Sequence, residues 1–404
     1  MRVQMKVSAQ SSNNSSRKII IAFPFGGDKL GGSHISAVGL IAGLDREKFE
    51  PIVVVHRSGL VLEEYLRKCG LSPILAPDVS LLPTARGGGL AAGLAGARAL
   101  VRTTALLVRF LRANSIDIVH TNDGQMHATW ALATRLSGSK LVWHHRGDPK
   151  AQGVRTVAPL LANHIVGVSR FVQPAKPLLP VAHKFTVLHS PFEHPPTLPD
   201  REVCRKGFID ELHLAPETRF VGYVGGLVDR KRPVRFVEAV HAFLERHPDF
   251  PLAGLLFGGA LPEHPDMDER VRQRAHALGI SDRIHLMGFR TPVAPCMSAL
   301  DALLVPAVNE PFGRTLIEAM LLETPVIATD HGGNPEAIED GFTGYLVEPE
   351  NPKAFVVPME RLLLDKEHWR EISAKARTSS LNKYSKKTHI DGISQLYCTL
   401  LHNH

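Results

Sequence analysis

The stretch from Leu303 to Pro349 is the part of the chain that most restricts its fold. A short apolar run, Leu303 to Val305, suits a buried strand. A loop follows, Asn309-Glu310-Pro311-Phe312-Gly313. Leu316, Ile317, Met320 and Leu321 then recur at helical spacing on one face. Pro325 ends that helix, and Val326 to Thr329 reads as a second buried strand. A strand–loop–helix–strand unit belongs to a parallel α/β sheet, and such sheets bind ligands beyond the carboxyl ends of their strands.

The loop carries the chemistry. Gly313 lets a ligand approach the backbone. Free N–H groups at the start of the helix, from Gly313 to Leu316, suit a phosphate. Glu310 and Glu318, eight positions apart, flank them. A carboxylate beside a phosphate is repelled by it, so hydroxyls are its natural partners. Phosphate and hydroxyls together point to a sugar nucleotide.

These residues carry a resemblance. Glu310-Pro311-Phe312-Gly313-Arg314-Thr315-Leu316-Ile317-Glu318 resembles the E-x7-E signature of the retaining glycosyltransferases of family four, which have the GT-B fold. Gly332-Gly333-Asn334-Pro335-Glu336 and Gly341-Phe342-Thr343-Gly344-Tyr345-Leu346-Val347 follow the same pattern. The resemblance covers about residues 18–401 and is strongest in the C-terminal half. It implies an α/β chain of two Rossmann-like, doubly wound domains facing across a cleft, with a last helix crossing back to the first domain. The expected division is a disordered leader 1–17, an acceptor domain 18–190, a Pro-rich linker 191–200, a donor-binding domain 201–384 and a returning helix 385–404.

In the first domain Lys18 to Pro24 reads as a strand. The loop Gly26 to His34 is glycine-rich, and a helix follows from about Ile35. The G-x-G-x-x-G spacing is missing, so a dinucleotide site is not supported. By resemblance Gly31 and Gly32 close over donor phosphates near the acceptor, with His34 on the acceptor side. Residues 81–113 read as an Ala/Leu-rich helix with Arg98, Arg102, Arg109 and Arg112, packed on a sheet or lying on a membrane. Gly87, Gly89 and Gly93 follow no strand and are not read as a nucleotide loop. Lys140 to Asp148 is a strand ending in His144-His145-Arg146. By resemblance His145 or His144 contacts the donor sugar, and Arg146 and His144 stand on the acceptor side. A His–His metal pair lacks a third ligand.

The second domain opens on Arg219 to Val224, then Gly225-Gly226-Leu227-Val228-Asp229-Arg230-Lys231-Arg232. Paired glycines and basic residues before a helix suit a diphosphate. The family pattern is Gly-Arg-Leu followed by Lys. Lys231 matches the Lys, but Gly226 stands at the Arg position, and Arg230, Arg232 or Arg314 is left to compensate. Asp266 and Asp268 form a D-x-D that reads as a helix cap rather than a metal site. Gly288 and Phe289 resemble the segment whose backbone meets the nucleobase.

The resemblance thus implies a retaining transferase that takes a nucleotide-sugar donor, UDP-linked by first choice, and a glycan or lipid-linked acceptor, in cell-surface polysaccharide biosynthesis. Glu310 and the amides of Phe312 and Gly313 would hold sugar hydroxyls. Arg314, Thr315 and Leu316 would meet phosphate, and Glu318 the ribose. Gly225, Gly226, Arg230 and Lys231 would line the diphosphate. Glu310, Lys231 and His145 are the expected catalytic residues, with no metal and no cofactor. The alternative is a non-catalytic sugar-nucleotide-binding scaffold. Composition agrees with a soluble cytoplasmic protein, hydrophobic residues being 44% and charged residues 22%. Cys69, Cys204, Cys296 and Cys398 have no C-x-x-C spacing and read as free thiols. Residues 1–195 carry 23 Lys and Arg against 11 Asp and Glu, whereas the remainder carries 24 against 29. The basic half suggests an anionic partner, such as a membrane face; without interleaved aromatics, nucleic acid is not expected.

Overall fold

The computed structural model describes residues 17–28, 30–82, 90–192 and 197–402, with only the backbone at 90–95. Residues 1–16 of the expected leader, Gly87, Gly89 and positions 193–196 of the expected linker lie outside them.

Among the described residues the chain forms two sheets, one of seven strands and one of six, each parallel throughout. The first contains β1 (Ile19–Phe25), β2 (Phe49–Val55), β3 (Ile74–Leu75), β4 (Ile118–Thr121), β5 (Lys140–His145), β6 (His164–Gly167) and β7 (Phe185–Val187), in the order 3-2-1-4-5-6-7. Its helices are α1 (Gly32–Gly43), α2 (Val61–Lys68), α3 (Leu90–Ala113), α4 (Gly124–Ser137) and α5 (Gln152–Leu161). The second contains β8 (Arg219–Val224), β9 (Leu252–Phe257), β10 (Ile284–Gly288), β11 (Ala302–Val305), β12 (Val326–Thr329) and β13 (Tyr345–Val347), in the order 10-9-8-11-12-13. It is dressed by α6 (Arg201–Leu212), α7 (Pro233–Arg246), α8 (Met267–Ala277), α9 (Ala294–Ser298), α10 (Arg314–Leu321), α11 (Asn334–Ala337), α12 (Val356–Leu364) and α13 (Lys366–Lys383). A last helix, α14 (Lys386–His402), closes the chain. In each sheet the strand order reverses beside the central strand, at β1/β4 and at β8/β11, which is where an open parallel sheet leaves a crevice for a ligand.

The central strands are apolar on both faces. Ile21 to Phe23 and Leu252 to Leu256 are almost wholly buried, as strands covered by helices on both sides must be. On α10 the side chains of Leu316, Ile317, Met320 and Leu321 are at most 3% exposed. Each stabilises the domain by about 1.5–3 kcal/mol. At α3, Leu107 and Leu111 bury beside Trp130 and Val119, while Arg98, Arg102, Arg109 and Arg112 are exposed. The helix begins at Leu90, so the expected start at 81 is corrected: Leu81 and Leu82 are not helical.

The last helix lies on the first domain. Ile393 and Tyr397 are buried among Phe23, Phe49 and Leu40, and Ile390 packs on Gly43 of α1. The Asp266–Asp268 cap needs correction in part. Asp266 is the N-cap of α8 but its side chain makes no capping bond, and the Asp268 carboxylate instead accepts from the Ala260 amide at 3.1 Å. Among the described residues the four cysteines are free, and no helix is long and apolar enough to cross a membrane.

Candidate active site between the two domains

The loops at the carboxyl ends of the two sheets meet. Ser169, beyond β6, donates to the Pro311 carbonyl. The Glu336 carboxylate accepts from the Arg170 and Phe171 amides at 2.8 and 3.1 Å. His189 stacks on Phe312, and Arg314 donates to Ser36 Oγ at 3.0 Å. The Glu310-to-Glu318 stretch therefore faces the first domain.

On the second domain, β8 runs into Gly225, whose φ is +143°. A side chain there would lie 2.5 Å from the Lys231 ammonium. The backbone conformation favours glycine at 225, and a side chain there would displace the lysine head. The ammonium lines a small hollow with Tyr223, Val305, Glu310 and Thr315, and its charge reaches Glu318. Burial raises the Glu318 pKa, and the positive charges of Arg314 and Lys231 only partly offset that. Arg314 donates to Glu318 at 3.2 Å.

Glu310 is held by Arg230, so the loop carboxylate is already paired. Its backbone is braced from below, as the Gly333 amide donates to the Glu310 carbonyl at 2.8 Å. A Cβ at Gly333 would come within 2.5 Å of the Pro311 carbonyl. The Gly332-Gly333 pair thus shapes the loop rather than touching the cleft. Phe312 is 5% exposed and packs among His189, Phe192 and Tyr384, so only its amide can serve a ligand. The same is true of the fully buried Leu316. Gly313 caps α10, which leaves the first-turn amides of Arg314 and Thr315 directed at the cleft.

The three arginines offered in place of one at 226 separate clearly. Arg230 is taken by Glu310 and Arg232 by Glu350. Arg314 remains. It lies against Gly32, where a Cβ would stand 2.8 Å from its Cδ, and over the Phe192 ring at 4.5 Å. Gly226 itself offers only backbone, its carbonyl accepting from Tyr223 at 2.9 Å. At the sheet edge the Gly288 carbonyl already accepts from the Gly258 amide at 2.8 Å, while the Phe289 ring is 83% exposed.

On the first domain α1 starts at Gly32, not at Ile35, so Gly32 to His34 form its first turn. His34 Nδ1 accepts from the Gly31 amide at 3.2 Å, and burial lowers its pKa. Asp123 caps α4 through the Gln125 and Met126 amides, both at 3.0 Å, and its charge reaches His34.

The strand β5 divides its three terminal residues. His144 is fully buried and turned inward, and this corrects its expected acceptor role: its ring meets His120 at 3.0 Å and lies beside His389. Tyr397 completes the chain of bonds on the far side of His120. One set of tautomers makes both bonds with every ring neutral: Tyr397 donates to His120 Nδ1, and His120 Nε2 donates to His144 Nδ1, which leaves the His144 Nε2–H without a partner. Burial agrees, holding His120 and His144 well below the usual histidine range. His145 is 6% exposed and closed under its own turn by a 3.1 Å bond to the Asp148 carbonyl. Arg146 is the residue of the three that feels a charge across the cleft, that of Arg314, and its own charge reaches His34 within the first domain. It donates to Ser190 Oγ at 2.8 Å and to His144 Nδ1 at 3.4 Å. His120, His389, Tyr397 and Asp123 were not singled out in the sequence; the Asn122-Asp123-Gly124 turn after β4 is the one available signal for Asp123.

Two parallel-sheet domains with facing carboxyl edges define the class as GT-B. Residues 206–379 match the family model "Glycosyl transferases group 1". The match is confined to the second domain, and the fold of the whole chain is of the GT-B type. It is 32% identical over 189 residues to a D-inositol 3-phosphate glycosyltransferase of Corynebacterium jeikeium, covering 46% of this chain and 45% of that one. It is 28% identical over 192 residues to the lipopolysaccharide core biosynthesis mannosyltransferase LpsB of Rhizobium meliloti, covering 47% of this chain and 54% of that one. The chain thus spans about half the length of the curated relatives it matches. Among solved structures, Anabaena HepE in complex with UDP and glucose matches over 94% of this chain and 99% of its own, with a TM-score of 0.74 at 19% identity. A glycosyltransferase from Rickettsia africae matches over 96% and 100%, with a TM-score of 0.76 at 20% identity.

Proposed function

We propose that the protein is a retaining glycosyltransferase that moves a sugar from a UDP-sugar to a glycan or lipid-linked acceptor in cell-surface polysaccharide biosynthesis. The observation that carries the proposal is the convergence of Lys231, Glu318, Glu310 and the α10 N-terminus at the β8/β11 switch point. Cation and helix amides suit a diphosphate, and the carboxylates suit the hydroxyls of ribose and sugar. The names of the curated relatives, and the UDP and glucose bound to HepE, support the same donor class.

As the sugar–phosphate bond breaks, negative charge grows on the leaving diphosphate. Lys231 and the α10 amides are fixed before the reaction and stabilise that charge without reorganising. Glu310, steadied by Arg230, presents an acceptor for the sugar's hydroxyls. Closure of the two domains excludes water, which would otherwise compete with the acceptor. In this scheme protein cations take the part a divalent metal plays elsewhere. The basic first domain suits a protein working at the cytoplasmic face of an anionic membrane.

The test is turnover of a panel of UDP-, GDP- and ADP-sugars with extracted glycolipid acceptors, with and without EDTA. The expected outcome is transfer from one nucleotide class, an anomeric configuration retained by NMR, and a rate indifferent to EDTA. Binding of a sugar nucleotide with no turnover on any acceptor would favour the scaffold alternative, which the missing arginine at 226 motivates. Flotation with anionic and neutral liposomes tests the membrane proposal; equal, salt-independent failure to bind removes it.

A further inference from the structure

The loop from Glu310 to Gly313 is held from two sides, and the sides belong to different domains. From the second domain the Gly333 amide donates to the Glu310 carbonyl at 2.8 Å, and His331 Nδ1 accepts from the Asn309 amide at 3.0 Å. From the first domain the hydroxyl of Ser169, a fully buried residue, donates to the next carbonyl, that of Pro311. Proline has no amide, so this carbonyl is the one hydrogen-bonding group that Pro311 offers. Phe312 then packs on His189 at the end of the first domain, on Phe192 of the linker and on Tyr384, where the chain turns back.

Glu336 keeps Ser169 in reach. It lies on α11, in the second domain, and its carboxylate spans to the turn after β6. One oxygen accepts from the Arg170 amide at 2.8 Å and the other from the Phe171 amide at 3.1 Å. These are the two residues that follow Ser169. A carboxylate on two amides makes charge-assisted bonds, which are stronger than neutral ones. The Glu336 carbonyl accepts from the Tyr384 hydroxyl at 3.3 Å, and the Tyr384 carbonyl accepts from the Phe192 amide at 3.1 Å. Glu336 thus stands beside both places where the chain crosses between the domains. The same short segment, Gly333 to Glu336, touches the loop at one end and the first domain at the other. By contrast Lys231, Glu318 and the first-turn amides of α10 all belong to the second domain.

We infer that Glu336 and Ser169 are positioning residues, which make the placement of the Glu310–Gly313 loop depend on the approach of the first domain. The inference rests on the transferase reading of the cleft and deepens it. On that reading the nucleotide is held by the second domain, whereas the groups for the sugar hydroxyls are set only when the Ser169–Phe171 turn is clamped. The sugar is then engaged only when the wall that excludes water is in place.

Hydrogen exchange and calorimetry on the full chain test this, with wild type, Ser169→Ala, Glu336→Ala and Glu336→Gln. The Asn309 and Gly333 amides report on the loop. Both should exchange faster in Ser169→Ala and in Glu336→Ala, although Ser169 is 142 residues from Pro311. Affinity for UDP should stay within about twofold of wild type, while UDP release from a panel of UDP-sugars slows about tenfold or more, because a misplaced positioning group costs rate rather than nucleotide binding. Glu336→Gln keeps the size and one accepting oxygen. It should show the same changes in smaller measure, and it carries the test if the alanine variant does not fold. Unchanged exchange at Asn309 and Gly333 overturns the inference and leaves the donor reading standing. A loss of UDP affinity in step with turnover also overturns it, since that is the mark of a general structural role. If wild type neither binds UDP nor releases it from any UDP-sugar, the donor reading fails, and the exchange of Asn309 and Gly333 alone upholds or overturns the coupling of the loop to the first domain.

Discussion

Lys231 stands where a side chain on Gly225 would be, with Glu318 the acid that answers its charge. Losing a charge-assisted bond costs about 1.5–3 kcal/mol, so Lys231→Ala should weaken UDP binding about 10- to 100-fold by calorimetry. An affinity within twofold of wild type would remove Lys231 from the site. Glu318 adds a pH dependence. Its carboxyl must be ionised to accept two ribose hydroxyls, and burial has raised its pKa. UDP affinity should therefore fall with decreasing pH at a higher pH than an ordinary glutamate would give, and Glu318→Gln should flatten that part of the profile. The placement of Lys231 and Glu318 at the cleft was legible in the sequence because each is set locally: strand, glycine, cation, or strand, loop, helix. The fate of His144, His145 and Arg146 was not. Whether β5 turns its terminal side chains inward or toward the cleft depends on His120, 24 residues away, and on Tyr397, 277 residues beyond His120.

Among the elements, α14 is the one that ties the end of the chain to its beginning. Its contact with α1 is close because Gly43 has no side chain; a Cβ there would lie 2.1 Å from Ile390 Cδ1. Gly43→Ala should destabilise the protein by about 1–3 kcal/mol in urea unfolding, and Ile390→Val beside it should recover part of the loss. No recovery in the double variant would mean that the helices do not meet there. Periodicity located α10, whose apolar positions face the core of the second domain. It failed at the start of α3, where the breakers Pro83 and Gly87-Gly88-Gly89 before Leu90 were read as part of the helix. The Gly332-Gly333 pair shows a further limit: it was recognisable as part of a family pattern, but only the structure shows that it braces the Glu310 loop from below.

Across the whole molecule, histidines are buried without charge. Burial holds His120, His127 and His144 well below the ordinary value of 6.5, and brings His56, His164 and His389 to about 4. The folded chain leaves these rings unprotonated between about pH 4 and 6.5, whereas the unfolded chain protonates them. Unfolding therefore takes up protons in that window, and stability, full above it, falls as the pH drops through it. Each proton taken up contributes a slope of up to about 1.4 kcal/mol per pH unit. Urea unfolding at pH 7.5 and pH 5 checks this; equal stability at the two values would contradict the neutral assignment of the buried rings. The parallel sheets were readable from alternating strand and helix patterns, and the two facing domains from the family resemblance. The contacts that close the cleft, from Ser169 to Pro311, Glu336 to Arg170 and Arg314 to Ser36, join segments 142 to 278 residues apart and leave no local trace.

On the proposed reading, the cleft binds a nucleotide-sugar donor through the second domain. The most direct measurement is the melting temperature of wild type and Glu318→Ala with UDP-, GDP- and ADP-sugars and the free nucleotides. A ligand that binds the native state raises that temperature by mass action. UDP and a UDP-sugar should stabilise wild type, and Glu318→Ala should lose the effect. No shift from any nucleotide at millimolar concentration, or a shift that Glu318→Ala retains in full, would contradict it.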